Sequence, residues 1–224
     1  MTGSIMTFTN DFFQLFIKGA TRENQQAPFC DSNRTQVFAT NGAIAVAVPY
    51  ERAALNSAPA VQENMGKTLM GHQQREYDGR WKIGVGDLRK VLKEMPEKEY
   101  YPDVLCDDCE GDGEIACDCC GAWHECETCK GIGELPDQNA EPYVDYAPDH
   151  HIFMGNRWFR PHVVDPLVQA MQHMGAAYFD FYYQVLDSTR PGLAIYGEAA
   201  ISMMPVAHHQ EMAEHFITPM KVVT

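Results

Sequence analysis

The stretch Cys106–Gly133 reads CDDCEGDGEIACDCCGAWHECETCKGIG and holds seven of the chain's eight cysteines. Its two ends match. Cys106-Asp-Asp-Cys109-Glu-Gly111-Asp-Gly113 and Cys126-Glu-Thr-Cys129-Lys-Gly131-Ile-Gly133 both have the form CxxCxGxG. A CxxC pair lets two thiolates grip one ion from a tight turn whose backbone N–H groups point at the sulfurs, and the glycines supply the positive φ such a turn needs. Two pairs give four thiolates, the closed tetrahedral set of a structural zinc site. The spacing therefore predicts zinc held by Cys106, Cys109, Cys126 and Cys129.

Between the two copies lie Cys117, Cys119, Cys120 and His124. Two readings stay open for them: a second Cys/His metal site with these four residues as ligands, or spare thiols on a hairpin, one of which swaps into the first site. Disulfides fit less well, because glycine-bearing knuckles favour metal and no signal peptide points to an oxidising compartment. A redox CxxC is expected to open a helix with a lowered thiol pKa, whereas the acidic surroundings here are expected to raise thiol pKa values. Asp107, Asp108, Glu110, Asp112, Glu114, Asp118, Glu125 and Glu127 face a single base, Lys130. Nucleic-acid binding needs Lys and Arg to neutralise phosphates, so this segment is expected to be structural or to dock protein.

The cysteine segment resembles the zinc domain of DnaJ-type co-chaperones, in which two CxxCxGxG motifs share one ion. That resemblance implies the same four ligands, Cys106, Cys109, Cys126 and Cys129. The family domain has four repeats and this chain two complete ones; Cys117-Asp-Cys-Cys120-Gly121 looks like a worn third. No His-Pro-Asp signature of a J-domain occurs, so co-chaperone activity does not follow.

The 224 residues are 45% hydrophobic and 11% aromatic, with net charge −14. This suits a globular chain with a core, as one large domain or a domain with an insertion, and argues against a generally basic nucleic-acid binder. No apolar run is long enough to span a membrane. The N-terminus lacks a basic n-region and cleavage site, so a soluble, cytoplasmic protein is the expectation.

Outside the insertion the chain predicts alternating elements. Ser4–Thr9 reads as a strand capped into a helix over Asp11–Ala20, with Phe12, Phe13, Phe16 and Ile17 on its core face. Phe29 and Cys30 begin a strand, with Cys30 buried. TQVFAT, Asn41-Gly42 and AIAVAVP predict a hairpin with a type I′ turn. Residues 51–80 predict a loop with a helical turn or a mobile edge. WKIGV predicts a strand, followed by a helix with Leu88, Val91, Leu92 and Met95 inside, ended by Pro96; Arg89, Lys90 and Lys93 form its solvated face. Leu135–Pro148 reads as a proline-bearing linker. HHIFMGNRWF predicts a hairpin at Gly155-Asn156, and Pro161 starts a helix whose regular part is expected near Asp165 because of Pro166. Leu167, Ala170, Met171 and Met174 line its core face. Tyr178–Leu186, LAIYG and AAISMMPV follow as strands, and 207–224 as a tail.

Thus strand, helix and meander occur twice, one copy on each side of the insertion. Phe38-Ala-Thr-Asn41-Gly42 with AIAVAVP, and the helix through Leu167–Met174 with the closing Ile201-Ser-Met-Met204-Pro205-Val206, resemble one domain of the bacterial polymerase III beta-subunit sliding clamps. The resemblance implies an α+β clamp-like domain of two halves, 1–100 and 149–206, with a zinc-binding insertion over 101–148 and a tail over 207–224. The family closes a ring from six such domains. This chain holds one, so a ring needs several copies as a homo-oligomer, and the helices expected to line it carry few bases: Lys18, Arg22, Arg160, His162 and His173. A clamp-like domain with such an insertion has the character of a bacteriophage or mobile-element protein, a fold-level association.

The expected function is a non-enzymatic, zinc-binding accessory or scaffold protein in DNA replication or transcription, with DNA bound through a clamp-like assembly and not through the acidic finger. The alternative is an adaptor whose finger docks a partner protein, and a thiol oxidoreductase comes third. No phosphate loop, Rossmann glycine pattern or nucleophile elbow is present. Asp149-His150-His151 and His208-His209-Gln-Glu211 with His215 lack the further ligands of a catalytic zinc and are expected to be surface histidines. The aromatic run Tyr178–Tyr183 is expected to put one face in the core and the other toward a partner.

Overall fold

The computed structural model describes residues 6–117, 119–148 and 150–206. Residues 1–5, Asp118, Asp149 and the tail with His208, His209, Glu211 and His215 lie outside the described residues. Two compact units are present: one formed by residues up to Met95 together with those from Pro148 on, the other by Pro96–Ala147.

The first unit opens with β1 (Phe8–Thr9) and α1 (Asn10–Ile17), then β2 (Phe29–Cys30), β3 (Gln36–Thr40), β4 (Ile44–Pro49), β5 (Ala53–Ala54), β6 (Ala60–Val61), α2 (Glu63–Gln73), β7 (Gly79–Gly84) and α3 (Val85–Glu94). The inserted unit contains β8 (Glu97–Tyr100), β9 (Asp103–Leu105), β10 (Glu114–Ala116), β11 (Trp123–Glu125), β12 (Glu134–Pro136) and β13 (Tyr143–Tyr146). The first unit then resumes with β14 (Ile152–Met154), β15 (Arg157–Phe159), α4 (Pro161–His173), β16 (Tyr178–Tyr183), β17 (Gly192–Tyr196) and β18 (Ala199–Met203).

One eight-stranded sheet, in the order β6-β2-β3-β4-β18-β17-β16-β7, organises the first unit. At its centre β4 and β18 run antiparallel, with Ala47 opposite Ala200 and Ile44 opposite Met203. Outward from that pair the order mirrors itself: β3 and β2 on one side, β17 and β16 on the other. Each side is preceded by a short strand and a helix, β1–α1 or β15–α4. The strand β7 pairs with β16 and α3 packs on α4, so both belong with the later half of the chain although they precede the insertion.

The helices form where apolar residues recur at helical spacing. Phe12, Phe13, Phe16 and Ile17 of α1 are buried, and Phe12 meets His173 of α4 at a ring separation of 5.5 Å. Leaving water contributes about 1.5–3 kcal/mol for each large apolar side chain. The helix stops at Ile17, before the expected Ala20, and Gly19 follows with φ 79°. The expected core residues of α3 and α4 are buried. However, α4 begins at Pro161 and carries Pro166 inside it. Val163 and Val164 are buried ahead of that proline, and their packing offsets the lost hydrogen bond.

Three local expectations are corrected. The hairpin turn centres on Gly42-Ala43, since the Asn41 N–H donates to the Ile44 carbonyl at 3.3 Å. Only Gly42 there has positive φ, 93°, which suits a turn with glycine first rather than type I′. The Asn41 side chain is used otherwise: its Oδ1 accepts from the N–H groups of Ala43 and Ile44, and its Nδ2 donates to the Lys18 carbonyl. Residues 63–73, expected as loop, form α2, whose Met65, Leu69 and Met70 pack on Phe29, Phe38 and Ala47. His151, expected on the surface, is buried at the start of the β14–β15 hairpin. Among the described residues no helix is long and apolar enough to cross a membrane.

The loop after β16 is tied by Asp187, whose Oδ1 accepts from the hydroxyl and N–H of Thr189 and whose Oδ2 accepts from Arg190. The Thr189 hydroxyl, then Arg190, hold its carboxyl down at about 2. A depressed carboxylate pKa stabilises the fold above its unfolded value, and that contribution is lost as pH falls through the folded one. An NMR titration of Asp187 is therefore expected to show a midpoint near 2, with the loop ordered down to about pH 4. A midpoint at the ordinary carboxylate value would remove this role.

Candidate metal centre

The inserted unit is a ladder of short ribbons. β8 pairs with β13, β9 with β12, and β10 with β11, all antiparallel. The segment expected as an exit linker thus supplies two strands. The CxxC turns lie between strands, Cys106–Cys109 after β9 and Cys126–Cys129 after β11, and neither opens a helix as a redox CxxC does.

The two turns face each other with matching bonds. The Cys106 N–H donates to the Gly133 carbonyl and the Cys126 N–H to the Gly113 carbonyl, both at 2.8 Å. The Gly113 N–H points at Cys109 Sγ (3.3 Å) and the Gly133 N–H at Cys129 Sγ (3.2 Å). Across the pair, the Thr128 hydroxyl donates to the Asp108 carboxylate. Glu110 and Lys130, each following the second cysteine, take left-handed φ of 54° and 52°.

The final glycine of each motif is required by contact as well as conformation. Gly133 has φ 83°, and a Cβ there would sit 2.2 Å from the Gly111 carbonyl oxygen. Gly133→Ala is expected to push the two turns apart and to weaken metal retention at least tenfold in competition with a chelator. Unchanged retention would show that the turns tolerate separation.

All four cysteines of this group are buried, and their ligand atoms lie within 4.8 Å of one another. Cys106 Sγ is 3.8 Å from Cys126 Sγ, and Cys109 Sγ is 3.7 Å from Cys129 Sγ. With metal–sulfur bonds of about 2.3 Å, a tetrahedron has edges of about 3.8 Å. The donor set and its spacing therefore fit one metal ion. The acidic surroundings do not raise every thiol: the Cys129 N–H aimed at its sulfur holds Cys126 down at about 7, whereas burial pushes Cys106 up to about 11.

Of the second candidate set, Cys117, Cys120 and His124 gather within 4.8 Å, and Cys119 is not in that group. The Cys119 Sγ lies 2.8 Å from Cys117 Sγ. Hydrogen bonding from Cys119 holds Cys117 down at about 7. Of the bases named for the helices, Lys18, Arg22, Arg160, His162 and His173 are exposed, and Lys90 of α3 is paired with Glu94 at 3.9 Å.

No known family's sequence profile matches the chain, and no curated protein matches it in sequence. Among solved structures, it is similar to DNA polymerase III subunit beta from Borrelia burgdorferi, at 9% identity and a TM-score of 0.43 over 88% of this chain and 61% of that one. The C. crescentus beta sliding clamp gives 10% identity and a TM-score of 0.45 over 89% and 64%. The Helicobacter pylori beta clamp bound to a DNA ligase peptide gives 11% and 0.44 over 91% and 65%. The α+β arrangement resembles the sliding-clamp fold. The chain spans less than two thirds of the length of these structures.

Proposed function

We propose that this chain is a non-enzymatic, zinc-binding accessory protein in which one zinc on Cys106, Cys109, Cys126 and Cys129 folds a docking module carried by an α+β body. The observation that supports it is the pair of sulfur–sulfur distances, 3.8 and 3.7 Å, between two buried CxxC turns. A four-sulfur tetrahedral set selects zinc or iron over harder ions. The module's charge fits it to a basic protein partner and not to nucleic acid, because its carboxylates would repel phosphates.

Native mass spectrometry and metal analysis of the intact, reduced chain test this. At least one zinc per chain, lost on Cys129→Ser, is the expected result. A chain free of metal, or one that carries iron in its place, would overturn it.

A second reading, a clamp-type scaffold that encloses DNA, is favoured by the mirrored sheet order about β4 and β18 and the side-by-side packing of α1 and α4. The same measurement decides it through the number of copies per particle. A closed assembly of several chains supports enclosure, and a zinc-loaded monomer or dimer leaves the adaptor. The few bases on these helices predict that any DNA affinity has a shallow salt dependence.

A further inference from the structure

The knuckle geometry occurs three times, and only two copies are used by the first site. Counting four residues on from the first cysteine, Glu110, Gly121 and Lys130 all have left-handed φ: 54°, 70° and 52°. Cys117-x-x-Cys120-Gly121 is thus a third turn of the same kind, closed by the Gly121 N–H on the Cys117 carbonyl (2.7 Å) and the Cys117 N–H on the Ala122 carbonyl (2.8 Å). It has no fourth CxxC to face. Instead β11 brings His124 to it, and the Cys117, Cys120 and His124 ligand atoms lie within 4.8 Å of one another.

A second observation points to a ligand here. Every residue of β10 and β11 is exposed, and Glu114 stands directly opposite Glu125. Like charges across a strand pair destabilise it, and an isolated two-stranded hairpin is marginal in water. The first site anchors the base of this hairpin through the Cys126–Gly113 bond. Among the described residues of its far end, 117 and 119–122, the backbone bonds are those closing the Cys117–Ala122 turn, and no apolar side chain is buried. The Glu114–Glu125 pair lies at the base, beside the first site, so the tip is left without cohesion of its own, and a cation there would supply it.

We propose that Cys117, Cys120 and His124 form a second site for a thiophilic divalent cation of the zinc type, whose fourth position stays open to a donor from outside the chain. Cys119 stays a free thiol. Two sulfurs and one nitrogen at about 2.3 and 2.0 Å from the ion occupy three corners of a tetrahedron, and three protein ligands plus one exchangeable ligand is the pattern of an open zinc site. Because Cys120 and His124 are exposed, the open corner faces solvent. The first site, by contrast, is closed and buried, so the two differ in what they do. One folds the module, and the other offers a metal to an imidazole or thiolate supplied by something else.

The test uses the full-length reduced chain, loaded with zinc and counted by native mass spectrometry, then exchanged with cobalt(II). Wild type and Cys119→Ser are expected to hold two ions. His124→Ala and Cys120→Ser are expected to hold one, and the retained ion reports that the module is still folded. The second ion is expected to pass to a chelator at least tenfold faster than the first. Added imidazole is expected to move the visible bands of the second cobalt and not those of the first. One ion in wild type, loss of the second ion in Cys119→Ser, or cobalt bands that imidazole does not move would each overturn the proposal. Losing the ion that depends on Cys106 and Cys129 would instead strike the first site, so the two failures are distinguishable.

Discussion

Replacing Cys106 or Cys129 by serine is expected to unfold the Pro96–Ala147 unit and to leave the helix–sheet unit standing. Among the described residues, the buried side chains of the inserted unit are those of the four cysteines, with Leu135 half-buried against them. Its ribbons do not compensate: β9, β10 and β11 are exposed at every position. The Tyr100–Tyr143 stack at 5.9 Å is one pair in a two-stranded ribbon, too little for independent stability. Structural zinc in small domains binds with an apparent free energy of about 10–16 kcal/mol, and that energy is folding energy. A serine in place of one thiolate forfeits most of it. Limited proteolysis with mass mapping is expected to show cleavage between residues 106 and 133 at least a hundredfold faster than in the zinc-loaded chain. Chelation of the wild type is expected to do the same. The melting temperature of the helix–sheet unit should move by less than about 2 °C, since the two units have separate cores and independent sites add. An insertion that stays protease-resistant without metal would sink this account, and with it the proposal that a metal ion folds the unit.

How much of this was legible beforehand depends on the range of the signal. The gathering of the four cysteines was legible because a knuckle is local: spacing and glycines within eight residues fix it. The hairpins at Gly42 and Gly155, the helices α1, α3 and α4, and the aromatic strand β16, with Phe179 and Phe181 inside, were legible for the same reason. Helix α2 was not. Its apolar residues are only Met65, Leu69 and Met70, among Gly66 and Gly71, and they matter because Phe29, Phe38 and Ala47 present a surface for them. Propensity is a weak prior that tertiary packing overrides. The ribbons flanking the four-cysteine cluster were hidden likewise: Leu135–Pro136 and Tyr143–Tyr146 become strands only through partners about thirty to fifty residues earlier. The exclusion of Cys119 from the second cluster was hidden because three cysteines in four positions carry no information on which sulfur points inward.

Arg157→Met is expected to be the most damaging single change in the helix–sheet unit outside its aromatic core. The segment Gly155-Asn-Arg-Trp-Phe159 carries the predicted hairpin turn and β15. Within it Arg157 is 0% exposed, whereas Trp158 is only partly covered. The reason lies in the loop that follows β16. The Arg157 guanidinium donates to the backbone carbonyls of Gln184, Asp187 and Arg190 and to the Asn156 Oδ1, at 2.6–3.2 Å, and lies over the Tyr183 ring at 5.7 Å. Burial lowers its pKa, but an arginine has charge to spare at any working pH. Its five donors in a fixed fork thus hold three carbonyls of one loop that have no strand to pair with. Hydrogen bonds from a charged group are worth about 1.5–3 kcal/mol each, and buried acceptors left unpaired cost more than the bond's net worth. Methionine keeps the volume and removes every donor, so the loop must open to water. A loss of about 3 kcal/mol is expected. For a unit of this size it lowers the melting temperature by about 6–12 °C. Arg157→Lys, which keeps the charge but not the fork, should recover less than half. Hydrogen exchange is expected to rise at residues 184–190 first. A melting temperature within 2 °C of wild type would mean that the loop's carbonyls are satisfied without the guanidinium, and that its burial is incidental to the fold.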